Sequence, residues 1–104
     1  MSAHILAQEK GSDELCVMLT GELDHHASEQ LRDKLDDMIT RKKYRRVVFD
    51  MGGVSFMDSS GIGILLGRYK KLSQLGCAME IKGARDGIDK IIKMAGLHQL
   101  TSKR

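Results

Sequence analysis

The sequence has 104 residues and a net charge of +3, which is the size of a single domain with one core, and we treat 1–104 as that domain. Its charged fraction of 30% and apolar fraction of 41% are ordinary for a soluble globular domain. No apolar run reaches the roughly 18 residues that a membrane span needs, and there is no signal peptide, so we expect a cytoplasmic protein without a membrane partner.

The first two predicted elements form a hairpin. Residues 4–8 are predicted to be a short edge strand, and the turn signal Gly11-Ser12-Asp13 follows. From Leu15 onward the residues alternate, and both alternating sets are apolar, which predicts a strand that is covered on both faces of the sheet. Because the turn is short, we expect the two strands to pair antiparallel.

The first helix opens after Asp24, which is a good N-cap candidate. His25-His26 could suggest a metal site, but adjacent helix residues point about 100° apart and no carboxylate–His pair at i, i+4 joins them. We therefore expect exposed histidines in the first turn and no metal site. The apolar stripe of this helix is Ala27, Leu31, Leu35, Met38 and Ile39.

A basic run, Arg41 to Arg46, follows the first helix. It separates an acidic part of the chain, residues 1–40 with nine acids and three bases, from a basic part, residues 41–104 with five acids and fourteen bases. The run could be a nucleic-acid patch or the solvated C-terminal end of a helix, where cations complement the helix dipole. We favour the second interpretation, and expect no direct nucleic-acid partner, because no aromatic stacking platform accompanies the run.

A β-branched strand over 46–51 follows a helix, so we expect it to lie parallel to the second strand through a right-handed crossover. The second helix begins near Asp58 and ends at Gly76. A short strand over 78–81 and a last helix over roughly 85–95 complete the chain. The predicted buried stripe of the second helix is Ile62, Leu65, Leu66, Tyr69, Leu72 and Leu75.

The element order β-β-α-β-α-β-α predicts an α/β fold, with a mixed, mostly parallel β-sheet of four to five strands packed by amphipathic helices. Cys16 and Cys77 lie in separate apolar runs without CxxC spacing. Buried free thiols are therefore expected rather than a disulfide or a metal site.

Two acidic loops should meet at one edge of this sheet. Asp24 follows the second strand, Asp58 and Ser59 follow the third, and the carboxyl ends of parallel strands carry functional groups. Small hydroxyl residues at a helix N-terminus admit two interpretations, plain capping or a place for a phosphate, since bare N–H groups and the dipole favour negative charge there. An added phosphate would gain the helix dipole but be repelled by both aspartates.

An enzymatic interpretation finds little support in the sequence. Gly-x-Ser-x-Gly is absent, and Gly61-x-Gly63 lacks the further glycine of a dinucleotide fingerprint. Ser59 has no evident base among the nearby residues. We therefore expect no catalytic residue and no cofactor, and keep a hydrolase or nucleotide-binding domain as the alternative.

Two long motifs carry a resemblance to a known family. They are 21–26, Gly-Glu-Leu-Asp-His-His, and 55–63, Ser-Phe-Met-Asp-Ser-Ser-Gly-Ile-Gly, followed by Gly-Arg-Tyr-Lys at 67–70. In this order the sequence resembles, over nearly its whole length, the anti-sigma factor antagonists of the STAS domain family. The run 22–26 favours the sporulation members over those of another pathway, such as general stress. Relatives often continue past the position of Leu100 with a helical tail, whereas this sequence ends at Arg104.

The resemblance implies a phosphorylation switch. It places the phosphate on Ser59, delivered by an anti-sigma factor that is itself a serine protein kinase and removed by a serine phosphatase. The unphosphorylated protein would bind the anti-sigma factor and release the sigma factor. The residues expected to contact the partner are Asp24, Asp58, Ser60, Gly61, Gly63, Gly67 and Arg68.

The glycines in the second helix need a reason, since glycine costs about 1 kcal/mol relative to alanine there. Ser59, Gly63 and Gly67 are spaced i, i+4, i+8 and should lie along one side of the helix. One explanation is a flat patch that a partner's backbone approaches, and the other is close packing of a neighbouring helix. We favour the patch because the row begins at the expected phosphoacceptor.

Overall fold

The elements follow one another in the predicted order. In the structure, a computed structural model that describes residues 3–101, the four strands are β1 (Ala3–Lys10), β2 (Glu14–Leu23), β3 (Arg46–Met57) and β4 (Ala78–Lys82). The helices are α1 (His25–Thr40), α2 (Ser59–Gln74) and α3 (Asp86–Met94), followed by a 3-10 turn over His98–Leu100. The predicted α/β class and element order are confirmed.

The four strands form one sheet in the order β1-β2-β3-β4. The predicted hairpin is present, with β1 antiparallel to β2 from Ala3↔Gly21 to Lys10↔Glu14. The strand β3 lies parallel to both β2 and β4, as the intervening helices predict. The carboxyl ends of β2 and β3 therefore open at the same edge of the sheet.

One face of the sheet carries the core. Alternate residues of the strands point into it, and Val17, Phe49 and Ile81 are fully buried there. The helices contribute Leu31, Leu35 and Ile39 from α1, Leu65 and Leu72 from α2, and Ile88 and Ile92 from α3.

The other face of the sheet is more open, so the prediction that β2 is covered on both faces is wrong in part. Cys16 is buried there, but Met18 is 38% exposed and its cross-strand partner Leu6 is 65% exposed.

The helix α2 is rotated relative to the prediction. Its buried residues are Gly61, Ile64, Leu65, Arg68 and Leu72, whereas Leu66, Tyr69 and Leu75 are exposed. The predicted inward orientation of those last three residues is wrong. The physical reason is that α1 packs alongside α2, so the buried arc of α2 turns toward α1 as well as toward the sheet.

The basic run after α1 is largely used within the chain. Lys42 pairs with Glu9 at 3.1 Å, Arg45 with Asp13 at 3.1 Å, and Arg46 with Glu80 at 2.6 Å. These ion pairs join the run to β1, to the β1–β2 turn and to β4, which favours a structural role for it. Both cysteines are buried and free, as predicted, and burial raises the pKa of the Cys77 thiol.

Candidate functional site

Two aspartates cap neighbouring helices at the carboxyl edge of the sheet. Asp24 Oδ1 accepts the amide of Ala27 at 2.8 Å at the start of α1, and Asp58 Oδ1 accepts the amide of Ser60 at 2.8 Å at the start of α2. The amide of Asp58 donates to the carbonyl of Leu23 at 3.4 Å, which ties the two loops together. The structure thus brings Asp24, Asp58 and Ser59 to one small acidic surface, and both aspartates act as N-caps.

The two serines that follow Asp58 have different surroundings. Ser59, the first residue of α2, is exposed, and its hydroxyl has no hydrogen-bond partner within residues 3–101. Ser60 is partly buried, and its Oγ lies 3.4 Å from Nδ1 of His25. The Ser59 hydroxyl is therefore accessible from solvent, and no contact within the described part of the chain has to break to reach it.

The contact between His25 and Ser60 was not anticipated from the sequence. His25 Nε2 also lies 2.8 Å from Glu29 Oε1. This is a carboxylate–His pair at i, i+4, so the expectation that no such pair joins the two histidines is wrong. Ser60, His25 and Glu29 thus form a serine–histidine–acid series. The Ser60–His25 distance exceeds the roughly 2.6–3.2 Å expected of a nucleophile and its base. The His25 and Glu29 side chains are 78% and 63% exposed, so water reaches the series freely. One signal could have indicated it, since both His25 and Ser60 lie in the first turns of helices that begin at the same sheet edge.

The three glycines of α2 differ in how much space surrounds them. Gly61 is buried, and a Cβ there would clash with Met57 and lie 3.1 Å from Leu23 Cβ, so this glycine permits close packing of α2 on the strands. A Cβ on Gly63 or Gly67 would meet nothing within 4 Å. The structure therefore does not support the close-packing explanation for Gly63 and Gly67.

Arg68 lies inside the molecule rather than on its surface. The residue is 7% exposed, and its Nε lies 2.9 Å from Oδ1 of Asp36 on α1. These two atoms are close enough for an ion pair, although their orientation does not meet hydrogen-bond geometry. Lys71 Nζ lies 3.3 Å from the other carboxylate oxygen, so Asp36 ties two cations of α2 to α1.

Exposed apolar side chains lie on α2, which begins at Ser59, and on β3, which precedes it. Leu66 and Tyr69 of α2 are 38% and 37% exposed, and Phe56, near the end of β3, is 47% exposed. These side chains are the exposed large apolar groups on the two elements that meet at Asp58.

Within residues 3–101, no group of three or more His, Cys, Asp or Glu side chains is arranged to hold a metal ion. None of the helices in that part of the chain has the length and apolar character required to cross a lipid bilayer.

The mixed four-stranded sheet, with two capped helices starting at one edge, is the architecture of a known domain family. The model of the STAS domain family matches residues 4–103, and the chain belongs to that family. The structure of the anti-sigma factor antagonist SpoIIAA in its unphosphorylated form is similar, with a TM-score of 0.83 and 28% identity over 95% of this chain and 86% of that one. The predicted STAS-like fold is confirmed.

Named relatives are also similar in sequence. The anti-sigma F factor antagonist of Paenibacillus polymyxa is 38% identical over 86 residues, which covers 83% of this chain and 74% of that protein. The anti-sigma-B factor antagonist of Listeria monocytogenes is 25% identical over 96% of this chain and 87% of that protein.

Proposed function

We propose that this protein is an anti-sigma factor antagonist switched by phosphorylation of Ser59. The unphosphorylated form binds an anti-sigma factor that is also a serine protein kinase, and so releases a sigma factor. Phosphate on Ser59 ends this binding, and a serine phosphatase restores it. The observation that carries the proposal is the exposed hydroxyl of Ser59 at the start of α2, which has no hydrogen-bond partner among the described residues.

The local electrostatics explain how one phosphate can act as a switch. The amide groups at the start of α2 tolerate an anion on the free protein, because the helix dipole is positive there. Asp24 and Asp58 already make the same surface negative. A partner that covers phosphoserine must desolvate about two further negative charges beside these carboxylates, which weakens binding.

The proposed binding surface combines the small acidic surface at Asp24, Asp58 and Ser59 with the exposed side of α2. It contains Asp24, Asp58, Ser60, Gly63 and Gly67, together with the exposed Leu66, Tyr69 and Phe56. Gly61 supports this surface from below, because it is buried between α2 and the strands. Arg68 reaches a partner only through the space between α1 and α2.

The similarities favour the sporulation branch of the family over the general stress branch. The relatives named anti-sigma F factor antagonists are 38% and 36% identical to this chain, whereas those named anti-sigma-B factor antagonists are 25% and 32% identical. We therefore propose a positive role in sporulation transcription, carried out in the cytoplasm through protein partners and without direct contact to nucleic acid. We propose no hydrolase function for the series Ser60–His25–Glu29, because the His25 and Glu29 side chains are exposed and the Ser60–His25 contact is long.

The test is a pulldown from the native cell with the purified protein, followed by mapping of its phosphorylation sites. We expect the anti-sigma factor in the bound fraction of unmodified protein, its loss from phosphorylated protein, and phosphate on Ser59 alone. Autophosphorylation or nucleotide turnover by the isolated protein would instead favour the enzymatic alternative.

A further inference from the structure

A groove of about 340 Å³ lies between α1 and α2, beside the start of both helices. Ser28 and Arg32 line it from α1, and Gly63, Gly67 and Arg68 line it from α2. Because the two glycines have no side chains and a Cβ on either would meet nothing within 4 Å, the groove stays open along α2.

Two residues that line this groove each hold a polar atom that is buried without a partner. Ser28 is 3% exposed and Arg68 is 7% exposed, and neither Ser28 Oγ nor Arg68 Nη1 has a hydrogen-bond partner in the described part of the chain. Buried polar groups in folded proteins are almost always hydrogen-bonded, because an unsatisfied donor loses its contacts with water. These two groups therefore point to a ligand that accepts hydrogen bonds.

The charges around the groove select a negative ligand. Asp36 is the carboxylate that pairs with both Arg68 and Lys71, so this cluster keeps an excess of one positive charge. Arg32 is exposed at the rim and has no ion-pair partner among residues 3–101. The Glu29 carboxylate at the same rim lies 2.8 Å from His25 Nε2, and with Arg32 and the Asp36 cluster counted together the net charge around the groove stays positive even when His25 is neutral.

We propose that this groove receives the carboxylate of an aspartate or glutamate side chain of the anti-sigma factor. A guanidinium group matches a carboxylate in shape and can donate two parallel hydrogen bonds to it. Binding turns Arg68 Nη1 and the Ser28 hydroxyl, which are buried in the free protein, toward the carboxylate. Arg32 closes the rim, and the bare backbone at Gly63 and Gly67 lets the partner approach. This inference rests on the proposed function and names the chemistry of the partner at that surface.

The first test reverses the charge at the rim. Arg32→Glu is expected to weaken binding to the purified anti-sigma factor by about tenfold or more, because the groove would then repel the carboxylate. Lys34→Glu is the matched control, since it makes the same charge change at an exposed position of α1 that does not line the groove. Calorimetry should show that Lys34→Glu binds the anti-sigma factor with an affinity within about twofold of the parent's.

The second test fills the groove. Gly67→Leu should lose partner binding while melting no lower than the parent, because it gains helix propensity in open space. Gly87→Leu is its control, because Gly87 also has nothing within 4 Å of a Cβ but lies on α3. A Gly67→Leu variant that binds as tightly as the parent overturns the proposal.

A charge-swap scan identifies the occupant. Each aspartate and glutamate of the anti-sigma factor is changed singly to arginine and titrated against Arg32→Glu. One such change is expected to restore binding to Arg32→Glu and to weaken binding to the parent. If none restores it, while inorganic phosphate competes with the partner for the parent, the occupant is a phosphate and the carboxylate assignment is wrong.

Ser59→Asp separates failure of this inference from failure of the proposed function. If Ser59→Asp loses the anti-sigma factor while Arg32→Glu and Gly67→Leu keep it, the groove is not part of the interface and the proposed function stands. If the unmodified parent binds no anti-sigma factor, the proposed function fails and the groove assignment fails with it.

Discussion

Ser60 Oγ lies 3.4 Å from Nδ1 of His25, so the second residue of α2 contacts the first residue of α1. The hydroxyl of Ser59, one residue earlier, makes no such contact within residues 3–101, and Ser59 is exposed to solvent. Two adjacent serines with the same chemistry therefore differ in how accessible their hydroxyl groups are. This difference leads to the first prediction.

Ser59→Ala should accept no phosphate from the partner kinase, whereas Ser60→Ala should still be phosphorylated. The Ser59→Ala substitution removes the hydroxyl but keeps the Asp58 cap, so this variant should stay folded and bind the partner permanently. Intact-mass measurement after incubation with the kinase and nucleotide checks both variants. Full phosphorylation of Ser59→Ala would show that the assignment is wrong.

Ser59→Asp should weaken binding to the anti-sigma factor by roughly two orders of magnitude. The new charge lies beside Asp24 and Asp58 on a surface that the partner must desolvate. Aspartate carries less charge than phosphoserine, so this variant is a partial mimic. Ser12→Asp is the control, because it adds the same charge in the β1–β2 turn at the opposite edge of the sheet. Equal calorimetric affinities of the parent and Ser59→Asp would contradict the electrostatic explanation.

The sequence predicts those features of the fold that depend on residue type and on the order of the elements. The caps at Asp24 and Asp58 and the parallel pairing of β2 with β3 follow from residue type and element order, and the structure has them. The predicted orientation of α2 is wrong because the prediction turns Leu66 and Tyr69 inward and leaves Arg68 for a partner to contact. The burial of Arg68 depends on Asp36, which is 32 residues away in sequence. The pattern of apolar residues within α2 cannot predict a partner on another helix.

The candidate site also has a part that the sequence predicts and a part that it does not. The acidic edge at Asp24, Asp58 and Ser59 was predictable, because strand ends and helix starts set it. The contact between His25 and Ser60 joins residues that are 35 apart in the chain, and it depends on how closely two helix starts approach each other. That distance is set by packing between α1 and α2, which the sequence pattern does not specify.

Gly63→Leu should melt no lower than the parent but lose partner binding. A Cβ at Gly63 meets nothing within 4 Å, and replacing a helical glycine gains up to about 1 kcal/mol of helix propensity. Thermal melting and calorimetric titration measure the two effects separately. A clearly lowered melting temperature of Gly63→Leu would show that Gly63 packs against a neighbouring element and does not lie on an open surface.

Gly61→Ala should lower the melting temperature, in contrast to Gly63→Leu in the same helix. Its Cβ would clash with Met57, and overpacking of this kind costs about 1–3 kcal/mol, so this variant should melt lower than the parent. If Gly61→Ala and Gly63→Ala melt alike, the distinction between the two glycines is wrong.

Tyr44→Phe should raise the pKa of Glu9 toward its ordinary value. The Tyr44 hydroxyl donates to Glu9 at 2.8 Å and lowers the pKa of that carboxyl, with a further contribution from Lys42. Because the folded pKa is lowered, the stabilisation is present above the unfolded pKa and is lost as the pH falls through the folded pKa. NMR titration of the Glu9 carboxyl measures the change, with Tyr69→Phe on α2 as the control. A Glu9 pKa that does not differ between Tyr44→Phe and the parent would contradict the contact.

Asp36→Asn should destabilise the protein, because it leaves the buried Arg68 without its counter-charge. Breaking a fully buried ion pair costs about 3–5 kcal/mol, and the Asp36 side chain is 24% exposed, so we expect a smaller loss of about 2 kcal/mol. For a chain of this size, each kcal/mol lowers the melting temperature by about 4–8 °C. Asp37→Asn is the matched control, since it removes the same charge from an exposed neighbour on α1. If the two variants unfold at the same temperature, the Asp36–Arg68 pair does not hold α2 against α1.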